Sequence, residues 1–192
     1  MARPREFDPN QAVMDAMNVF WAHGYEGASL PDLLDGMGIT RGSLYKAFTD
    51  KKSLFLRVMA TYEEQAVAPA VQVLEDATIT DGFARIENVF ASITQAVSDG
   101  DQRGCLLCSA AAGPAAVDKE IATIVHALLE RMRDGFASAL SATPHGPDTA
   151  LADHLLTQYV GMRIMVRAHA PIEMLTQSQT SLMTLIKGPL NT

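Results

Sequence analysis

Apolar residues recur along this chain at helical spacing, and no stretch alternates as a strand would. Val13, Ala16, Met17, Phe20 and Trp21 share one face of a first helix. Asp8 caps it, Pro9 suits its first turn, and Gly24 ends it with Tyr25 placed to fold back. Ser29 caps a short second helix bearing Leu30, Leu33, Leu34 and Met37, which stops at Gly38. Thr40 caps a third, with Leu44, Tyr45 and Phe48 inward. A break at Thr49-Asp50 leads to a long helix from about 51 to 75, in which Pro69 predicts a kink or an early end. Further helices are expected over 81–98, 105–112, 117–141, 148–168 and 171–187, separated by Asp99-Gly100-Asp101, Gly113-Pro114 and the 143–147 loop. The fold class is therefore all-α: a three-helix N-terminal module (1–50) on a larger helical domain (51–192), about nine helices in all.

Composition narrows the function. The chain has 192 residues, 48% of them hydrophobic, and no apolar run approaches the ~18 residues of a membrane span. No membrane partner is expected. The basic start, with Arg3 and Arg5, has no apolar segment behind it and does not read as a secretory signal. Two cysteines three residues apart do not make a disulfide framework, which favours a reducing cytoplasm. A net charge of −7 argues against nucleic acid until its distribution is considered. Residues 41–52 carry Arg41, Lys46, Lys51 and Lys52 against Asp50 alone, whereas the acidic excess lies beyond residue 53. Only a surface meeting phosphate has to be positive.

The second and third helices, joined through Gly38-Ile39-Thr40, make a helix-turn-helix. Gly38 tolerates the left-handed backbone of the turn, and Ile39 plugs the angle between the helices. Thr40 leaves the partial positive charge of the third helix facing a phosphate. Arg41, Ser43 and Lys46 point away from Leu44 and Phe48, as side chains of a recognition helix must.

The stretch from Gly24 to Leu54 resembles the DNA-binding domain of TetR-family regulators. The resemblance rests on Gly38-Ile39-Thr40-Arg41-Gly42-Ser43-Leu44-Tyr45-Lys46-Ala47-Phe48 and on the frame Tyr45, Phe48, Lys51, Leu54. It implies that Ser29 and Thr40 meet phosphates, that Arg41 and Lys46 reach bases, that Tyr45 lies against the backbone and that Lys51 holds a phosphate. Ser43 belongs to the same face, and Arg3 and Arg5 are candidates for a minor-groove arm. Two positions depart from the family pattern: Ala28, where many members carry Thr, and the bulky Leu34, where they carry a small residue.

The resemblance further implies a homodimer on double-stranded operator DNA, joined through the last two helices, and a small-molecule effector bound between helices four and eight. Leu155, Leu156, Tyr159, Met162, Met165, Leu175, Leu182, Met183 and Ile186 are candidates for the interface; Met59, Tyr62, Phe83, Phe90, Cys105, Cys108 and His126 are candidates for the pocket. No cofactor is implied.

An enzyme and a helical interaction protein without DNA are the rival classes. Cys105-Leu106-Leu107-Cys108 is a Cys-x-x-Cys, but no strand-helix-strand unit surrounds it and no further zinc ligands lie close by. No phosphate-cradling glycine loop, His-Glu-x-x-His or nucleophile elbow occurs. An interaction protein leaves the Arg41, Lys46 and Lys51 layout unexplained. The cysteines are either buried packing residues or a thiol sensor near a helix N-terminus, with Arg103 favouring the thiolate. If both lie within one helix, their side-chain directions would strain a disulfide.

Overall fold

A computed structural model of the protein describes residues 7–188; the expectation for Arg3 and Arg5 lies outside them. Among the described residues every regular element is helical. α1 (Pro9–Gly27) starts on the Asp8 cap, whose carboxylate accepts from the Asn10 amide at 2.9 Å. Its path breaks at Gly24, at φ 73° and ψ 171°, a backbone that favours glycine. Past the break, Tyr25 turns back onto Phe20 and Phe55, at ring-centroid distances of 6.1 and 4.8 Å.

α2 (Leu30–Met37) opens with a capping box: Ser29 Oγ accepts from the Asp32 amide, and the Asp32 carboxylate accepts from the Ser29 amide. Its Gly36 lies so close to α1 that a Cβ there would come within 2.4 Å of Val19 Cγ2. Gly38, at φ 63° and ψ 28°, makes the left-handed turn into α3 (Arg41–Phe48). Leu33, Met37, Leu44 and Phe48 face inward, joining the Phe20 and Phe55 core.

α4 (Lys51–Tyr62) runs through a π-helical turn (Glu63–Val67) into α5 (Ala68–Glu75). This is how the helix accommodates Pro69. The ring falls in the first turn of a new α segment, where a missing N–H costs little, and the widened turn ahead absorbs the mismatch. There follow α6 (Gly82–Ser98), α7 (Leu106–Ala112), a 3-10 turn (Pro114–Val117), α8 (Lys119–Ser141), α9 (Thr149–Arg167) and α10 (Ile172–Lys187). α8 packs against both α5 and α9, and α10 lies on α6.

The interface candidates divide between interior and surface. Leu155, Met162, Leu175, Leu182, Met183 and Ile186 are buried in this chain's own core, while Leu156 and Tyr159 pack against it half-buried. A fully buried side chain cannot also cover a partner, so Leu155, Met162, Leu175, Leu182, Met183 and Ile186 are corrected to core. Met165 stays exposed, as do Ile164 on α9 and Met174 and Leu185 on α10.

Candidate nucleic-acid interface and effector cavity

The outer face of α3 is polar, cationic and free of carboxylates. Thr40 Oγ1 accepts from the Ser43 amide at 3.2 Å and lies 3.0 Å from Ser43 Oγ, so the two hydroxyls close the helix N-terminus together. Arg41, Tyr45 and Lys46 are exposed, and the Arg41 guanidinium lies 5.6 Å from the centre of the Tyr45 ring. Tyr45 is 44% exposed, so its ring is surface rather than core. The reason is periodicity: Leu44 and Phe48, four apart, own the inward stripe, and Tyr45 falls one residue past it.

Two flanking groups are already engaged. The Ser29 hydroxyl donates to Asp32 at 2.5 Å, and that bond holds the Asp32 carboxyl below its usual pKa. Lys51 Nζ sits 4.8 Å from the Tyr25 ring centre and 3.5 Å from the Glu26 carbonyl, with burial lowering its pKa. A cation at a helix N-terminus opposes the dipole and needs compensation. Here the aromatic face and the carbonyl supply it. Lys52 is not part of the outward positive surface, because both Asp118 and Glu120 pair with it at 2.9 Å. That clamp joins the start of α4 to the start of α8.

Behind the module lie two cavities sharing one wall. The larger, about 330 Å³, is lined by the His23–Gly27 segment, Cys105, Cys108, Arg163 and Arg167. The smaller, about 250 Å³, is lined by Tyr62, Val89, Met132, Tyr159 and again Cys105 and Arg163. Cys105 does not lie inside α7. It caps that helix from an extended backbone, φ −124° and ψ 125°, and its sulfur accepts from the Cys108 amide at 3.4 Å. The Tyr62 hydroxyl donates to the same sulfur at 3.1 Å. The Cys108 thiol bond, Arg163 and Tyr62 together pull the Cys105 thiol well below its usual pKa against the effect of burial. Cys108 is pushed up by donating to Cys105 and by burial.

Sequence similarity places these features among known proteins. The model for bacterial regulatory proteins of the tetR family matches residues 14–58. The HTH-type transcriptional repressor ComR of Escherichia coli is 32% identical over 188 residues, covering 91% of this chain and 87% of that protein. The chain belongs to the tetR family. The HTH-type regulator YezE of Bacillus subtilis matches over 91% of this tetR-family chain at 29% identity, covering 94% of that protein. Among solved structures, a cysteine mutant of the TetR-family regulator CifR, in complex with 26-base-pair operator DNA, superimposes with a TM-score of 0.82 at 26% identity. It covers 98% of this chain and 100% of that one. The E. coli NemR reduced form shares the fold, with a TM-score of 0.74 at 14% identity over 90% of this chain and 93% of that one.

Of the expected pocket residues of this tetR-family regulator, Tyr62, Cys105 and Cys108 come together at the cavity wall. Met59 and Phe90 are buried packing, with Phe90 against Phe136 and Tyr159. Phe83 packs on His145 at the far end of α6. His126 is corrected: its side chain is 75% exposed on α8 and pairs with Glu130 one turn away, on the solvent face. The group missed was Arg163. Its signal was a cation flanked by Tyr159, Met162 and Val166 on an otherwise apolar helix side. The role expected of Arg103 also moves to Arg163, because Arg103 is held by Asp101 and stacks 4.1 Å from the centre of Trp21. Among the described residues no group of three or more His, Cys, Asp or Glu is placed to hold a metal, and no helix is long and apolar enough to cross a membrane.

Proposed function

We propose that this regulator is a repressor that binds a near-palindromic operator as a homodimer and releases it in response to events at the Cys105 cavities. Residues 1–50 are the reading module and 51–192 the effector and dimerisation domain. The observation that carries the reading is the outer face of α3, where Thr40, Arg41, Tyr45 and Lys46 are exposed beside the half-buried Ser43 and α3 itself carries no carboxylate. Arg41 and Lys46 read base edges, Tyr45 lies along the backbone, and Thr40, Ser29 and Lys51 meet phosphates. Ser29 and Lys51 must exchange their present partners for phosphate, an exchange the dense negative charge of the DNA backbone favours. The name of the relative ComR and the operator complex of CifR support the repressor and operator parts of the proposal. The exposed Ile164, Met165, Met174 and Leu185 supply the apolar patch a twofold interface needs. The effector is a small molecule that fits a cavity of a few hundred Å³, or one that modifies a cysteine, and the regulator works in the reducing cytoplasm.

A gel shift with DNA from upstream of its own gene tests this. Wild type is expected to bind, and the combined Arg41→Ala, Tyr45→Ala, Lys51→Ala variant to lose binding with its circular dichroism unchanged. Singly, Arg41→Ala should cost about 1–3 kcal/mol and relax base preference, while Lys51→Ala should lower the salt slope by roughly one ion. Normal affinity in the folded triple variant overturns the reading.

A further inference from the structure

Arg163 is the group the DNA-reading function leaves unexplained. Its Nε is buried without a hydrogen-bond partner, and the guanidinium lies 5.9 Å from the centre of the Tyr159 ring, between two cavities that both touch Cys105. A guanidinium withdrawn from water needs an anion, and the carboxylate that acts on it, Asp101, is already paired with Arg103. The groups acting on it most strongly are Tyr159, Cys105 and Tyr62. Of these, Cys105 is the one placed to be anionic, since the Tyr62 hydroxyl and the Cys108 amide both donate to its sulfur.

Resting on the regulator reading above, we propose that Cys105 and Cys108 form a two-cysteine site for hydroperoxides, with Cys105 attacking, Cys108 resolving, and Tyr62 and Arg163 positioning the sulfur. The pairing of the cysteines selects this chemistry. An alkylating effector needs one nucleophile and gives the Cys108 sulfur no bond to form. A peroxide needs a second thiol to make the change reversible. The cap geometry provides it. Because Cys105 leaves the helix and folds over its first turn, its sulfur already stands at the Cys108 amide.

In the first step the Cys105 thiolate attacks the outer oxygen of R–O–O–H. The S–O bond forms, the O–O bond breaks, and the departing alkoxide takes a proton from Tyr62, which solvent replaces, leaving Cys105–SOH and ROH. In the second step Cys108 sulfur attacks Cys105 sulfur. The S–O bond breaks, and the hydroxyl leaves with the Cys108 proton as water. The two sulfurs lose two electrons and the peroxide gains them. The product holds no thiolate, so Arg163 is left without its counter-ion. Arg163 and Arg167 are one turn apart on α9, and Arg167 Nη1 donates to the Trp21 carbonyl at the end of α1. A shift of α9 is therefore felt beside the reading module.

The test uses the full-length reduced protein, cumene hydroperoxide and hydrogen peroxide. Wild type is expected to lose about 2 Da, reversibly with dithiothreitol, and Cys108→Ser to stop at a sulfenic acid about 16 Da heavier that dimedone traps. Cys105→Ser should show neither change. Operator affinity of wild type should fall roughly tenfold or more on oxidation, while the affinity of Cys105→Ser stays constant. Tyr62→Phe should move the pH at which the reaction sets in upward, which a merely structural tyrosine would not do. A Cys108→Ser protein that forms no sulfenic acid, or a wild-type disulfide that leaves operator affinity unchanged, overturns the proposal. The mass readout needs no DNA, so a failure of operator binding by the reduced protein is seen separately.

Discussion

The Tyr62 ring stands edge-on against Trp21, with centroids 5.2 Å apart and planes at 86°. Its hydroxyl donates to Cys105 from the other end. One side chain of α4 thus touches the cavity thiol and the helix that carries the reading module.

Trp21 is the only tryptophan in the chain, so its fluorescence reports this junction. Carboxamidomethylation of Cys105 should change the emission intensity or maximum in wild type and in Cys108→Ser, and leave both unchanged in Cys105→Ser. Equal traces for modified and unmodified wild type would show that Tyr62 does not move with its thiol partner.

The depressed pKa of Cys105 has a defined consequence for stability. Its folded value lies below the value in the unfolded chain, which is close to 8.5. Between the two, the unfolded state binds more protons, so stability rises with pH up to the unfolded value; above it the raised Cys108 thiol makes stability fall again. Urea midpoints of the reduced protein should climb from about pH 5, where the folded Cys105 thiol titrates, to about pH 8.5. Cys105→Ser should flatten the slope, and a wild-type slope of the opposite sign would refute the thiolate.

Met162 and Leu185 separate core from interface. Met162 is 3% exposed and Leu185 76%. Met162→Arg places an unpaired charge in the core and should unfold or aggregate the chain. Leu185→Asp should leave the fold intact by circular dichroism while shifting sedimentation at micromolar concentration from dimer to monomer. A wild-type monomer at that concentration removes the dimer from the proposal.

The helix-turn-helix was legible because its determinants are local. Asp8, Ser29, Gly38 and Thr40 act within four residues of the backbone groups they satisfy, so their spacing alone marks the elements. The cavity was only half legible, since Tyr62, Cys105 and Arg163 meet through packing that helix periodicity does not encode. Lys52 counted among the cations beside α3 because Asp118 and Glu120, its partners, are distant in sequence.

Gly82 tests that packing directly. A Cβ there would stand 2.0 Å from the Ala139 carbonyl oxygen of α8. Backbone cannot rotate aside as a side chain can, so Gly82→Ala should lower unfolding stability by about 1–3 kcal/mol. Unchanged thermal denaturation would mean that α6 and α8 are further apart at this crossing.

The π-helical turn at Glu63–Val67 fixes the angular phase between the two halves of one rod. An α-helix advances about 100° per residue, so an extra residue in a turn offsets everything beyond it by that amount. Tyr62 faces the cavity on one side of the turn, Ala66 and Val67 line it from the turn itself, and Pro69, Ala70 and Val73 line it beyond. Removing a residue here, or straightening the turn to regular α geometry, would swing α5 away from the cavity while α4 kept its place. This segment therefore acts as a spacer, keeping the cavity wall and the base of the reading module in register along a single helix.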